Sequence, residues 1–224
     1  MKRVEMPSPN KDSRGSVAVN MLVLHYTGMT SGRAALERLC DPAAKVSSHY
    51  TIDEDGTVYA HVPESERAWH AGVSYWMGTN NVNACSIGIE LVNPGHEFGY
   101  REFAAAQIAS LIQLCQDIKT RHAIPAHRVL GHSDVAPERK DDPGELFPWE
   151  ALAKAGIGLW PEDLEGYYPA SYLVRFGYNP EAPRERLVTA FQRHFRPAQL
   201  TGQWDEDCGA RLAALLAKTP SPTL

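Results

Sequence analysis

Met21-Leu22-Val23-Leu24-His25-Tyr26 runs without alternation of apolar and polar residues and stops at Thr27-Gly28. A strand with one wet face alternates, so an unbroken apolar run this short predicts a strand covered on both faces. Such strands belong to the middle of a mostly parallel sheet with helices on either side. Working outward, Gly32 to Cys40 reads as a helix with Ala35, Leu36 and Leu39 on one face. Ser48 to Ile52 and Thr57 to Val62 are strand-like runs joined by Asp53-Glu54-Asp55-Gly56, a hairpin signal. Ser86 to Val92 is another strand, and Arg128 to His132 a short one. Between them, residues 101–121 carry Phe103, Gln107, Ile108, Leu111, Ile112, Cys115 and Ile118 at helical period, stopped by Pro125. A last helix of this unit runs from about Trp149 to Ala155 and ends at Gly156.

These elements predict an α/β fold over residues 21–156, preceded by an irregular polar lead-in over 1–20. Residues 157–171, with Gly158, Pro161, Gly166 and Pro169, read as a linker. Residues 172–224 read as a small three-helix domain: Tyr172–Phe176, Pro183–Phe195 and Asp205–Ala217. A linker there predicts that the helical unit can be removed without loss of action on small substrates.

The chain has 224 residues, 43% of them hydrophobic and 22% charged, enough to bury a core. A net charge of −5 argues against nucleic acid or an anionic membrane as partner. No apolar run approaches the roughly 20 residues of a membrane span. Met1 to Pro7 has no apolar signal core behind its basic residues. That places the chain in the cytoplasm, or in the periplasm or at the outer membrane if a leader precedes it. Cys40, Cys85, Cys115 and Cys208 are scattered and read as reduced, mostly buried thiols.

His25 and His132 each end a predicted strand, and Asp142 follows in Lys140-Asp141-Asp142-Pro143-Gly144. Two imidazoles and one carboxylate form a catalytic zinc set that leaves a position for water. With nine histidines in the chain, spacing alone leaves the plainer alternative open. In it, the histidines are hydrogen-bonded at strand ends and Asp142 is a turn or capping residue. Trp69, His70, Asn80 and Asn81 sit in a loop rich in Trp, His, Gly and Asn. Rings and amides suit a sugar face and peptide carbonyls, or else a loop stapled by its own aromatics. His61, His96, His122, His127 and His194 read as structural or solvent-facing. Ser133 and Asp134 beside His132 make no serine triad.

Four segments occur in an order that resembles the type 2 N-acetylmuramoyl-L-alanine amidases, closest to the recycling and outer-membrane branch. They are Leu22 to Thr27, Trp69-His70-Ala71-Gly72, Ser86 to Leu91, and the long run Gly131-His132-Ser133-Asp134-Val135-Ala136-Pro137-Glu138-Arg139-Lys140-Asp141-Asp142-Pro143-Gly144. The resemblance implies a mixed central sheet flanked by helices and a Zn2+ site of His25, His132 and Asp142. It implies Glu90 as general base and then acid, and Lys140 as the cation that stabilises the oxyanion. In phage-type relatives a catalytic tyrosine follows the early helix, which points to Tyr50. The substrate it implies is peptidoglycan fragments or anhydro-muropeptides, cleaved between muramic acid and L-alanine. The alternative is non-catalytic recognition of muropeptides. Phe176-Gly177-Tyr178, Val188 to Phe195 and Gly202-Gln203-Trp204-Asp205 resemble three-helix peptidoglycan-binding modules. The plainer reading of that unit is a helical cap on the catalytic domain.

Overall fold

The computed structural model describes residues 1–219; the end of the expected three-helix unit, 220–224, lies outside the described residues. The strands are β1 (Arg3–Glu5), β2 (Lys11–Ser13), β3 (Met21–Tyr26), β4 (Tyr50–Ile52), β5 (Val58–Ala60), β6 (Glu66–Ala68), β7 (Ser86–Leu91) and β8 (Val129–Gly131). The helices are α1 (Gly32–Cys40), α2 (Val82–Cys85), α3 (Gly95–Phe98), α4 (Ala105–Arg121), α5 (His132–Val135), α6 (Trp149–Lys154), α7 (Leu173–Phe176), α8 (Arg184–Phe195) and α9 (Glu206–Ala217).

The main sheet has the order β1-β5-β4-β7-β3-β8. β3 lies between β7 and β8 and is parallel to both, which explains its unbroken apolar run. β4 is parallel to β7 and antiparallel to β5, through the expected turn at Asp53–Gly56. Gly56 has φ +84, and a Cβ there would stand 2.8 Å from the Ala106 carbonyl, so the tight approach of α4 requires glycine. The mixed α/β sheet flanked by helices is thus present as expected. The lead-in differs: β1 pairs parallel with β5, and β2 pairs antiparallel with β6. Arg3-Val4-Glu5 and Lys11-Asp12-Ser13 are too short and too charged to show alternation, and charge is how edge strands avoid further pairing.

The period of two along β3 divides its side chains between two cores. Leu22 and Leu24 join Ile87 and Ile89 of β7 under Leu111, Leu114, Cys115 and Ile118 of α4. Met21 and Val23 face the other way, into a cluster with Trp76, Leu173, Phe176, Tyr178, Leu187, Val188, Phe191 and Leu212. The C-terminal helices therefore cover the part of that face around Met21, Val23 and Leu130 and share its core. Even the expected linker is packed: Ile157 is buried on the α4 side, and Ala170 in the cluster opposite. The Gly and Pro residues there mark turns of the chain and not a gap in packing. Among the described residues no helix is long and apolar enough to cross a membrane. The four cysteines are free, with Cys85, Cys115 and Cys208 buried.

Candidate active site

The parallel strands β3, β7 and β8 bring their C-terminal ends together, where open α/β sheets carry their sites. In register, His25 stands beside Glu90, and Leu24 beside Gly131, which leads directly into His132. Asp142 returns to the same point, its carbonyl accepting from the Ser133 N–H at 2.9 Å. His25, His132 and Asp142 are 1%, 4% and 6% exposed. His25 Nδ1 lies 3.0 Å from His132 Nδ1 and 3.0 Å from Asp142 Oδ2, and His132 Nδ1 lies 3.1 Å from that same oxygen.

The surrounding hydrogen bonds assign the tautomers. Ser86 Oγ donates to the Val82 carbonyl at 2.6 Å, so it accepts from His70 Nε2 at 3.1 Å. Burial, followed by the neighbouring His25, lowers His70 well below the usual histidine range, so its Nδ1 is a lone pair. His25 Nε2, 3.0 Å away, must then donate to it. Burial and the nearby His132 lower His25 to about 4, so this ring is neutral as well and turns the lone pair of Nδ1 into the cluster. His132 Nε2 donates to the Ala71 carbonyl at 3.1 Å, nearer than the Arg139 guanidinium at 3.5 Å, and its Nδ1 faces the cluster. Three atoms able to ligate a metal thus face one another at 3.0–3.1 Å. Ligand atoms about 3.3 Å apart are what tetrahedral zinc at 2.0–2.1 Å imposes. The trio can hold a metal ion.

Gly88, between Ser86 and Glu90 on β7, is part of this construction. A Cβ there would come within 2.4 Å of His70 Cγ, so the strand dispenses with a side chain where the His70 ring lies across it. Glu90 projects to the site face, and its Oε2 is buried with no partner among the described residues. Burial and the nearby Asp142 push its carboxyl well above the ordinary range, while Lys140 opposes them. The site opens into a cleft of about 370 Å³, lined by apolar residues such as Ala35, Leu39, Val46, Trp69, Met29 and Pro94 and by Glu90, Lys140 and Asp141 beside the trio.

Several expected site residues are placed elsewhere. Tyr50 lies on the α4 face of β4, donates to Glu64 Oε1 at 2.7 Å and does not line this cleft. Its register partner is the core residue Ile89, whereas Thr51 is the one beside Glu90; in a strand one position reverses the face. Asn80 and Asn81 are exposed and do not line the cleft; Asn81 Oδ1 accepts from Arg67 at 3.4 Å. They sit in the turn before α2, whose inward-facing amide is that of Asn83, which accepts from the backbone of His70 and Ala71. Trp69 and His70 both line the cleft, but the two ring nitrogens of His70 are engaged by His25 and Ser86. Sequence reasoning missed Ser86, the Ala71 carbonyl and the contacts of Asp134; only the spacing of Ser86, Gly88 and Glu90 on one strand face carried a signal.

Comparison with known proteins agrees with this geometry. A family model described as N-acetylmuramoyl-L-alanine amidase matches residues 15–145. The N-acetylmuramoyl-L-alanine amidase AmiD of Escherichia coli (strain K12) is 40% identical over 232 residues, covering 89% of this chain and 83% of that one. The 1,6-anhydro-N-acetylmuramyl-L-alanine amidase AmpD of Citrobacter freundii is 35% identical, covering 64% of this chain and 84% of its own. Among solved structures, AmiD from E. coli in complex with the substrate anhydro-N-acetylmuramic acid-L-Ala-D-gamma-Glu-L-Lys superposes with a TM-score of 0.80 at 38% identity, over 92% of each chain. AmpDh3 from Pseudomonas aeruginosa gives 0.82 at 35% identity, over 91% of this chain and 93% of that one. With its parallel strand ends, buried His/His/Asp trio and match over residues 15–145, the chain belongs to the N-acetylmuramoyl-L-alanine amidase family.

Proposed function

We propose that this chain hydrolyses the amide between N-acetylmuramic acid, its 1,6-anhydro form included, and the L-alanine of the stem peptide, with a zinc ion held by His25, His132 and Asp142. The observation that carries the metal is the convergence of three buried ligand atoms at 3.0–3.1 Å. Neutral imidazoles and a carboxylate suit zinc, and zinc bound there supplies Lewis acidity to water and to a substrate carbonyl. Glu90, which lines the cleft and whose Oε2 has no partner among the described residues, takes a proton from the attacking water and delivers it to the leaving amine nitrogen. The hydroxyl of that water ends on the muramic acid carbonyl carbon, and its proton on the alanine nitrogen. Lys140, which lines the same cleft near enough for its charge to act on His25 and Glu90, stabilises the oxyanion of the tetrahedral state. Trp69 and the apolar wall of Ala35 and Leu39 offer a surface for the sugar or the first residues of the peptide.

The substrate assignment draws on two relatives that match over nearly the whole chain, both complexed with an anhydro-muramyl peptide. It is tested by offering intact sacculi and soluble anhydro-muropeptides side by side and weighing the products. The expected products are a free peptide beginning with L-alanine and a peptide-free sugar or glycan, together heavier than the substrate by one water. Tight binding with unchanged substrate mass leaves a recognition protein and overturns the proposal.

A further inference from the structure

We infer that Tyr178 and His194, both outside the matched family segment, are positioning residues for the metal ligands, acting through Asp134. The inference rests on the metal centre proposed above. Asp134 follows His132 by two residues and is fully buried, where a carboxylate needs donors. It has three. The Gly131 N–H donates to Oδ2 at 2.8 Å, within its own loop. His194 Nδ1, from α8, donates to Oδ2 at 2.7 Å, and the Tyr178 hydroxyl donates to Oδ1 at 2.7 Å.

Neither C-terminal donor is free to turn away. The His194 ring lies between Trp149, at 3.7 Å between centroids, and Phe195, at 3.8 Å. Its Nε2 is buried with no partner among the described residues, so the contact with Asp134 is what the polar ring is used for. The Tyr178 ring is fixed against Trp76, at 4.9 Å. The neighbour of His194, Arg193, forms an ion pair with Asp141 at 2.9 Å, one residue before Asp142. Two consecutive residues of α8 thus fasten both ends of the loop between His132 and Asp142. The Ser133 N–H closes it on the Asp142 carbonyl.

A metal site tolerates ligand errors of only about 0.2 Å, and outer groups that orient ligands are worth about 10–100-fold in metal affinity. Loosening this brace is therefore expected to weaken zinc binding in a protein that is still folded. Three single variants of the full chain separate the possibilities. Tyr178→Phe removes one hydroxyl and keeps the ring in the core. His194→Phe keeps the stack and removes the donor. His194→Asn returns a donor near the place of Nδ1. Zinc affinity is measured by competition with a chromophoric chelator, and ligand geometry by the visible absorption of the cobalt(II) form. Thermal unfolding shows that each variant is folded at the assay temperature.

The expected result is about ten-fold weaker zinc binding and an altered cobalt spectrum for Tyr178→Phe and His194→Phe, with most of the loss recovered in His194→Asn. A role in stability alone lowers Tm and leaves zinc affinity and the cobalt spectrum of the folded protein unchanged; that result overturns the inference. If His194→Phe does not fold, Tyr178→Phe decides. Absence of zinc uptake by the unmodified protein overturns the metal centre itself, and this inference with it.

Discussion

Glu90→Gln is expected to keep fold and metal and to lower kcat by about 10²-fold or more, the usual scale for losing a general acid–base. The amide has the shape of the carboxylate, so the cleft keeps its form, and Glu90 is not one of the three converging donors. What disappears is a group able to take a proton from water and return it to the amine. Its carboxyl is suited to both steps: burial and Asp142 raise its proton affinity, Lys140 opposes them, and Oε2 has no competing partner among the described residues. Elemental analysis of the variant confirms that metal is retained, and steady-state rates on a soluble muropeptide give the loss. Near-wild-type turnover would show that Glu90 is not the base.

Truncation at Tyr168 is expected to yield protein that does not fold, and so to abolish action on small and polymeric substrates alike. The cut uncovers Met21, Val23, Trp76, Val82, Leu130 and Val135, all of them within 1% of complete burial. Large apolar side chains contribute about 1.5–3 kcal/mol each when buried, so the loss is about 10 kcal/mol, comparable with a whole domain's stability of about 5–15 kcal/mol. It also leaves the buried carboxylate of Asp134 without Tyr178 and His194. Circular dichroism and solubility of the shortened chain check this. A folded fragment with undiminished activity on soluble muropeptides would show instead that the helical unit is separable, as its Gly- and Pro-rich approach suggests.

The contrast between these expectations shows what the sequence makes legible. β3 and β7 are readable because a strand buried on both faces has no polar alternation to confuse, and the turn at Asp53–Gly56 because glycine is required there. The edge strands β1 and β2 carry no such pattern, since their stability comes from partners more than fifty residues away. For the site, residue type and strand ends suggested His25, His132 and Asp142, and resemblance to the family singled them out. Their meeting is a product of register, which brings β3 beside both β7 and β8. Tyr50 shows the limit of position without parity: it neighbours a site-facing residue and points to the opposite core. The clamp on Asp134 joins residues 44 and 60 positions apart and leaves no local trace. The linker-like composition of 157–171 reports only that the chain bends; whether packing continues across it depends on what the sheet face needs covered.

The account turns on a metal ion shared by His25, His132 and Asp142. The direct measurement is elemental analysis of the purified chain paired with its amidase rate before chelation, after it, and after readdition of zinc. We expect about one zinc per chain, loss of amide cleavage with loss of metal, and recovery on its return. Full activity in protein shown by the same analysis to be metal-free would contradict the account.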